Sequence, residues 1–240
     1  ADIGDYLANR PYQLNCDAIR GLGFDLETVA GGLVDLINTL TLNPTSRYPG
    51  KLDARLTLES GQPVSTTDQS AKNTLYFTPF NGDVVPLYDP TEADFVDRYL
   101  SAEKSFSLLG LGAGSVHDVF ANYDTGASDI VLSLEPWATP TTRNIPLTTF
   151  RGVKVKTGAL THRYLGSLGI NATGGQCEDT LLQRFLWNMY HRRRREMIWQ
   201  EEADSWPSTT SIWQAMNGDN TIRVEFVVGL EEDEIEADVG

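Results

Sequence analysis

Cysteine, histidine, methionine and basic residues are all scarce in this sequence. Its 240 residues include two cysteines, three histidines and three methionines, with 19 lysines and arginines against 33 acidic residues. Cys16 and Cys177 make neither a disulfide framework nor a zinc site, which needs about four Cys or His ligands at close spacing. Reduced thiols are the default. A Cys16–Cys177 bridge is the alternative for a protein that ends up in an oxidising medium. His117, His162 and His191 show no ligand spacing with another histidine, cysteine or carboxylate. His117 and Asp118, as neighbours on a strand, point to opposite faces and form no dyad. There is no G-x-S-x-G, no Walker loop, no H-E-x-x-H and no dinucleotide fingerprint. The glycine-rich LGLGAGS (Leu109 to Ser115) runs into the strand-like VHDVFANYD instead of a helix, so it reads as a turn and not a phosphate loop. No catalytic, cofactor or metal site is therefore expected, and the chain does not read as an enzyme.

Long apolar runs are missing too. None approaches the roughly 18 residues that span a bilayer, and ADIGDYLANR is not a basic segment leading into an apolar one. The expectation is a protein made and folded in cytosol, without a membrane partner. The formal charge of −14 argues against binding nucleic-acid phosphate. Six of the negative charges (Glu231, Glu232, Asp233, Glu234, Glu236 and Asp238) lie in residues 231–240, which contain no basic residue, leaving −8 for the rest. That acidic tail reads either as a solvated terminus or as an arm that docks on a basic neighbour. The one basic cluster is HRRRRE, with Arg192, Arg193, Arg194 and Arg195. Those arginines either pair locally on the surface or grip an acidic partner, such as the acidic tail of a neighbouring subunit.

What is abundant points to β-structure. The 21 glycines and 11 prolines punctuate short apolar runs about ten residues apart. ARLTLES, TLYF, VVPLYD, FSLLGLG, VHDVFANYD, DIVLSLEPW, GVKVKTG, HRYLGSLGI and TIRVEFVVG each read as a strand. TLYF and VVPLYD bracket Pro79 and Gly82 as the two arms of a hairpin. The spacing predicts a mainly β, jelly-roll-like antiparallel sandwich over 51–230. One helix is expected within it, over EDTLLQRFLWNMYHR, where Leu181, Leu182, Phe185, Leu186 and Met189 form an apolar stripe. Residues 1–50 differ. Asp25 can cap a helix whose stripe is Leu26, Val29, Leu33, Leu36, Ile37 and Leu40, interrupted by Gly31-Gly32. So short a helix needs a surface to pack on, its own domain or a partner. NPTSRYPGK then reads as a linker. Five tryptophans (Trp137, Trp187, Trp199, Trp206 and Trp213) suit a β core or a subunit interface, with a sugar-binding groove as the alternative.

Five motifs occur in serial order: RLTLESGQPVSTTD, TLYFTPFNGDVVPLYD, HDVFANYDTGASDIVLSLEPW, GVKVKTGALTHRYLGSL and EDTLLQRFLWNMYHRRRR. Together they resemble a β-rich module of structural proteins of tailed bacteriophages, of the tail-fibre, minor-virion and head-decoration type. Its pattern includes T-x-Y-x-T-P-x-x-G-x-x-x-x-L-Y-D, then Y-D-V-F, R-Y-L-G and R-F-x-W-N-x-Y-N-R. The resemblance covers about residues 52–228. His117 stands in place of the usual Tyr, His191 in place of Asn, and PTEADFVDRY replaces a short Gly-to-Trp stretch; all three read as local surface changes. The resemblance implies a virion component without catalytic residues, commonly a homotrimer. Its partners would be copies of itself and other virion proteins, major capsid or tail and collar proteins. A capsid decoration or short head fibre suits the size, residues 1–50 serving as the attachment and oligomerisation segment. The alternative is a tail or collar fibre that recognises host surface glycan.

Overall fold

A computed structural model describes residues 48–199 and 223–231 of the chain. The chain divides after Pro44, and the described residues all belong to its second unit. The expected N-terminal helix, with Leu26, Val29, Leu33 and Leu36, lies outside the described residues. So do Cys16, Trp206, Trp213 and all of the acidic tail beyond Glu231.

Every regular element among the described residues is a strand. The first six are β1 (Ala54–Thr57), β2 (Gln69–Lys72), β3 (Thr74–Pro79), β4 (Val84–Asp89), β5 (Asp94–Tyr99) and β6 (Lys104–Ser107). Then come β7 (Val116–Asp124), β8 (Asp129–Thr139), β9 (Thr142–Arg143), β10 (Leu147–Phe150), β11 (Val153–Lys156) and β12 (Ala159–Gly169). The last four are β13 (Cys177–Asp179), β14 (Gln183–Arg184), β15 (Leu186–Asn188) and β16 (Glu225–Phe226). They form a three-stranded sheet β1-β3-β6, a seven-stranded sheet β10-β11-β12-β7-β8-β9 with β15 paired to β12, a four-stranded sheet β16-β14-β13-β2, and the ribbon β4-β5. All pairs are antiparallel except β14 with β16. The fold is thus mainly β and antiparallel.

The long strands β7, β8 and β12 organise the core because both faces of their sheet are covered. Val119 and Ala121 point to the main apolar cluster with Leu56, Leu75, Phe77, Leu87 and Ile130. Phe120, between them, points the other way to Tyr164 and Leu230, backed by Trp187. That is the period-two alternation of a strand, seen here with apolar residues on both sides. A bulge at Leu165, where Tyr164 opposes Phe120 but Gly166 opposes Val119, lets Leu165 and Leu168 serve the same core.

Three expectations are corrected. TLYF and VVPLYD are not arms of one hairpin: β3 pairs with β1 and β6, whereas β4 pairs with β5. Asp53 separates them, its carbonyl accepting from the amides of Phe80 and Asn81 and its amide donating to the Val84 carbonyl. PTEADFVDRY is not a surface change, because it builds β5 and buries Phe95 against Val153 and Val155; His117 is buried as well. The inserted helix is absent: 177–188 forms β13, β14 and β15 instead. Its apolar residues divide between opposite sides of an extended chain. Phe185 and Leu186 pack on the main cluster, Trp187 and Met189 on the second. Tertiary burial on two faces overrides a stripe that would also suit a helix. The Asn188 side chain completes the switch, accepting from the Leu56 amide at 2.9 Å and donating to the Leu56 carbonyl at 3.2 Å, as a paired strand would.

Candidate interaction surface

The polar groups inside the fold are committed to holding it. Asp118 is buried on β7 and receives Arg143 Nε at 2.7 Å, Arg143 Nη2 at 3.2 Å and Ser167 Oγ at 2.7 Å. Ser167 also pairs with the Tyr164 hydroxyl at 2.6 Å. Burial of Arg143 opposes its charge, but the hydrogen bond to Asp118 and the Asp118 charge outweigh this and raise its pKa. Tyr164, pushed up mainly by burial, stays protonated. Neither group is poised near neutral pH, so the constellation behaves as a structural pin.

Arg163 is fully buried and binds backbone carbonyls: Pro49 at 2.8 Å, Pro86 at 2.7 Å and Lys51 at 3.2 Å. Its Nε also donates to the Tyr190 hydroxyl at 3.2 Å, and the guanidinium lies 4.7 Å from that ring's centre. One side chain thereby ties the 49–51 segment to β4 and β12.

The histidines have local partners. His117 Nε2 sits 2.9 Å from Ser115 Oγ, and burial lowers its pKa against the pull of Asp118 and Glu135. His162 Nδ1 sits 3.1 Å from Thr161 Oγ1. His191 bonds to the Leu52 carbonyl and packs edge-on to Phe80. Among the described residues no group of three His, Cys, Asp or Glu is placed to hold a metal ion. LGLGAGS is a turn, with Gly110 and Gly114 in left-handed conformations. Cys177 is a free, buried thiol whose pKa burial raises.

The outer edge of the four-stranded sheet is different. Ile198 N donates to the Leu181 carbonyl, and Glu225 N to the Leu182 carbonyl, which brings three chain segments side by side. Leu181, Leu182, Ile198, Val224 and Phe226 there are 36–49% exposed. A soluble fold scatters such residues singly; here five gather where the three segments meet.

The arginine run reaches that sheet at Arg195. Arg192, Arg193 and Arg194 are exposed and Arg195 is half-buried. Arg195 Nη2 meets Asp179 Oδ2 at 2.7 Å, and Arg184 Nη1 meets Asp179 Oδ1 at 2.9 Å. The guanidinium of Arg192 lies 4.7 Å from the centre of the Trp187 ring, and that of Arg193 lies 5.5 Å from the centre of Phe80. Arg55 stands behind them on β1, nine-tenths buried, its Nε without a hydrogen-bond partner. Burial, then the charges of Arg195 and Arg193, lower its pKa to about 10 against the pull of Asp179.

Of the residues singled out in the sequence, the structure brings Arg195 to this sheet through Asp179, while Arg192 lies over Trp187 and Arg193 over Phe80. Trp137 lies under the Arg143 guanidinium and Trp187 stacks on Tyr164, so both serve packing. Sequence patterns alone do not reveal the exposure of Leu181 and Leu182, the role of Val224 and Phe226, or that of Arg163. The adjacent Leu181-Leu182 pair is the available signal, since a β-edge exposes what a helix stripe would bury. Comparison with known family models, with curated proteins and with solved structures finds no match for the chain.

Proposed function

We propose that this chain is a non-enzymatic structural protein of a tailed-phage particle. It works as a homotrimeric capsid decoration or short head fibre, assembled in the host cytoplasm and resident in the virion, with a jelly-roll-like domain. The observation that carries the reading is the exposed apolar edge formed by Leu181, Leu182, Ile198, Val224 and Phe226, bordered by arginines. It has the composition of an interface core with a cationic rim. Its occupant on this reading is a second copy of the chain, since β16 ends its sheet among the described residues.

The roles of the motif residues support the same reading. Arg163, Tyr164 and Gly166 of the R-Y-L-G motif, and Trp187 and Asn188 of the last motif, are framework pins rather than reactive groups. His191 adopts φ +53°, a left-handed conformation that Asn and His both tolerate, which accounts for His in place of Asn. No helix among the described residues is long and apolar enough to cross a membrane.

Sedimentation equilibrium tests the assembly: a trimer that Phe226→Glu dissociates is expected, and a monomer at all concentrations overturns it. Quantitative mass spectrometry of purified particles tests the location. A copy number comparable with that of the shell protein is expected for a decoration, and absence from the particle sinks the virion reading.

A further inference from the structure

We propose that Asn81 is a modification site: after folding its side-chain amide is lost through attack by the Gly82 backbone nitrogen, leaving aspartate or isoaspartate where β3 gives way to β4. The inference goes beyond the proposed function and holds whether or not the chain is a virion protein.

The sequence supplies one requirement and the fold supplies the others. Asn-Gly occurs at Asn81-Gly82 and at Asn217-Gly218, and the first of these lies among the described residues. Glycine has no Cβ to obstruct the approach of its nitrogen to the preceding side chain. That approach also needs an unengaged nitrogen in a segment that is free to turn. Residues 80–83 belong to no strand, and Asn81 and Gly82 are exposed. The amides of Phe80 and Asn81 both donate to the Asp53 carbonyl, at 2.8 and 3.1 Å, and the Val84 carbonyl accepts from the Asp53 amide at 2.9 Å. The Gly82 amide between them makes no hydrogen bond among the described residues. Other asparagines are held more firmly. Asn122 lies within β7, and the buried Asn188 side chain both accepts from and donates to the Leu56 backbone.

His191 sets the side chain in place without locking it. Its Nε2 faces the Leu52 carbonyl, which can only accept, so Nε2 carries the hydrogen and Nδ1 accepts from Asn81 Nδ2 at 3.4 Å. So long a contact is weak and readily given up. The Gly82 nitrogen loses its proton to solvent and forms a bond to Asn81 Cγ. The Cγ–Nδ2 bond then breaks, and Nδ2 leaves as ammonia with a proton returned from solvent. Water opens the resulting cyclic imide at either carbonyl. Cleavage at Cγ gives aspartate, and cleavage at the main-chain carbonyl gives isoaspartate, whose main chain runs through Cβ.

Isoaspartate thus adds one carbon to the main chain at a place with little room. Gly82 adopts φ +147°, and a Cβ there would come within 2.8 Å of Asp53 Oδ2. The Asp53 pin between β3 and β4 should therefore loosen. In either product the new carboxylate stands beside His191 and next in the chain to Phe80, whose ring centre lies 5.5 Å from the Arg193 guanidinium. The modification places a negative charge at that cluster.

The test ages full-length chains at mildly alkaline pH, all carrying Asn217→Gln to remove the second Asn-Gly. The free peptide TPFNGDVV gives the rate of the unhindered reaction. Peptide mapping by mass spectrometry, with an unaged sample as baseline, follows the exchange of amide for acid. The folded chain is expected to lose the Asn81 amide at a rate within a few fold of the peptide's, and several times faster than at Asn122 or Asn144. An Asn81 that stays intact in the folded chain while the peptide converts overturns the proposal, because the fold then blocks the attack. Conversion no faster than at Asn122 or Asn144 overturns it too. The urea midpoint of the aged chain is expected to fall, whereas Asn81→Gln, aged alongside, keeps its starting value. An equal fall in both refutes the loosening at Asn81. Asn81→Asp carries the charge without the extra carbon and is expected to keep its midpoint near that of the unaged chain. A fall as large as that of the aged chain would overturn the role given to isoaspartate.

Discussion

The seven-stranded and four-stranded sheets treat similar residues in opposite ways. In the first, strands of 9–11 residues bury charge and satisfy it completely: Asp118 holds Arg143 and Ser167 between β7, β9 and β12. In the second, strands of 2–4 residues leave Leu182 and Phe226 exposed and gather arginines around one aspartate. A long strand has neighbours on both edges and both faces, which favours partners for its side chains, although His117 Nδ1, Ser133 Oγ and Trp137 Nε1 have no hydrogen-bond partner among the described residues. A two-residue strand has little company of its own and depends on what packs against it: Arg143 on β9 is held by Asp118, whereas Phe226 on β16 is exposed. The first region therefore holds the buried polar pins, and the second the exposed apolar residues.

Substitutions that strike the first region should be the most damaging. Gly166 lies where β12 crosses β15, and a Cβ there would meet the Trp187 carbonyl oxygen, a backbone atom that cannot rotate away. Gly166→Ala is expected to cost about 4 kcal/mol or more, measured by urea unfolding. A cost under about 1 kcal/mol would show that the two strands can separate. Arg163→Met comes next. It strips the carbonyls of Pro49, Pro86 and Lys51 of their donor inside the fold, at an expected cost of about 3 kcal/mol. Arg163→Lys should recover only part of this, since one ammonium cannot span carbonyls from two segments. Asn188→Ala breaks two buried bonds to Leu56 and should cost about 2 kcal/mol.

The histidines give a smaller, pH-dependent effect in the same region. Burial lowers the pKa of His117, and burial followed by the charge of Lys156 lowers that of His162. The unfolded chain takes up these protons near its ordinary value of about 6.5, while the folded chain resists them. Stability should hold above that pH and decline as pH falls below it, until the folded histidines also titrate. Urea midpoints measured across that interval, with His117→Gln flattening part of the slope, check the sign. The smallest effect on stability is expected in the second region. Phe226→Glu should change it by no more than about 0.5 kcal/mol while abolishing self-association. A large loss of stability would place Phe226 in the core and erase the distinction between the sheets.

Much of the first region is legible in the amino-acid pattern. VHDVFANYD, DIVLSLEPW and HRYLGSLGI alternate and end at turn residues, and each forms part of a long strand. The second region is harder to read because its cues are ambiguous. Leu181, Leu182, Phe185, Leu186 and Met189 satisfy a helical stripe, yet the same residues suit an extended chain touching two cores. PTEADFVDRY has few apolar residues, so the importance of Phe95 shows only once β4 has paired with β5.

Composition and period settle a mainly β, acidic chain with no evident metal or catalytic motif, because strand alternation and ligand spacing are local properties. Which strands pair is decided only in three dimensions, where Asp53 parts β3 from β4 and Asn188 stands in for a strand. The same holds for Arg163, buried among carbonyls, and for the exposed edge beside Arg192–Arg195. The Arg163 and Asn188 contacts join residues 77 to 132 positions apart in the chain, and no local pattern encodes such separations.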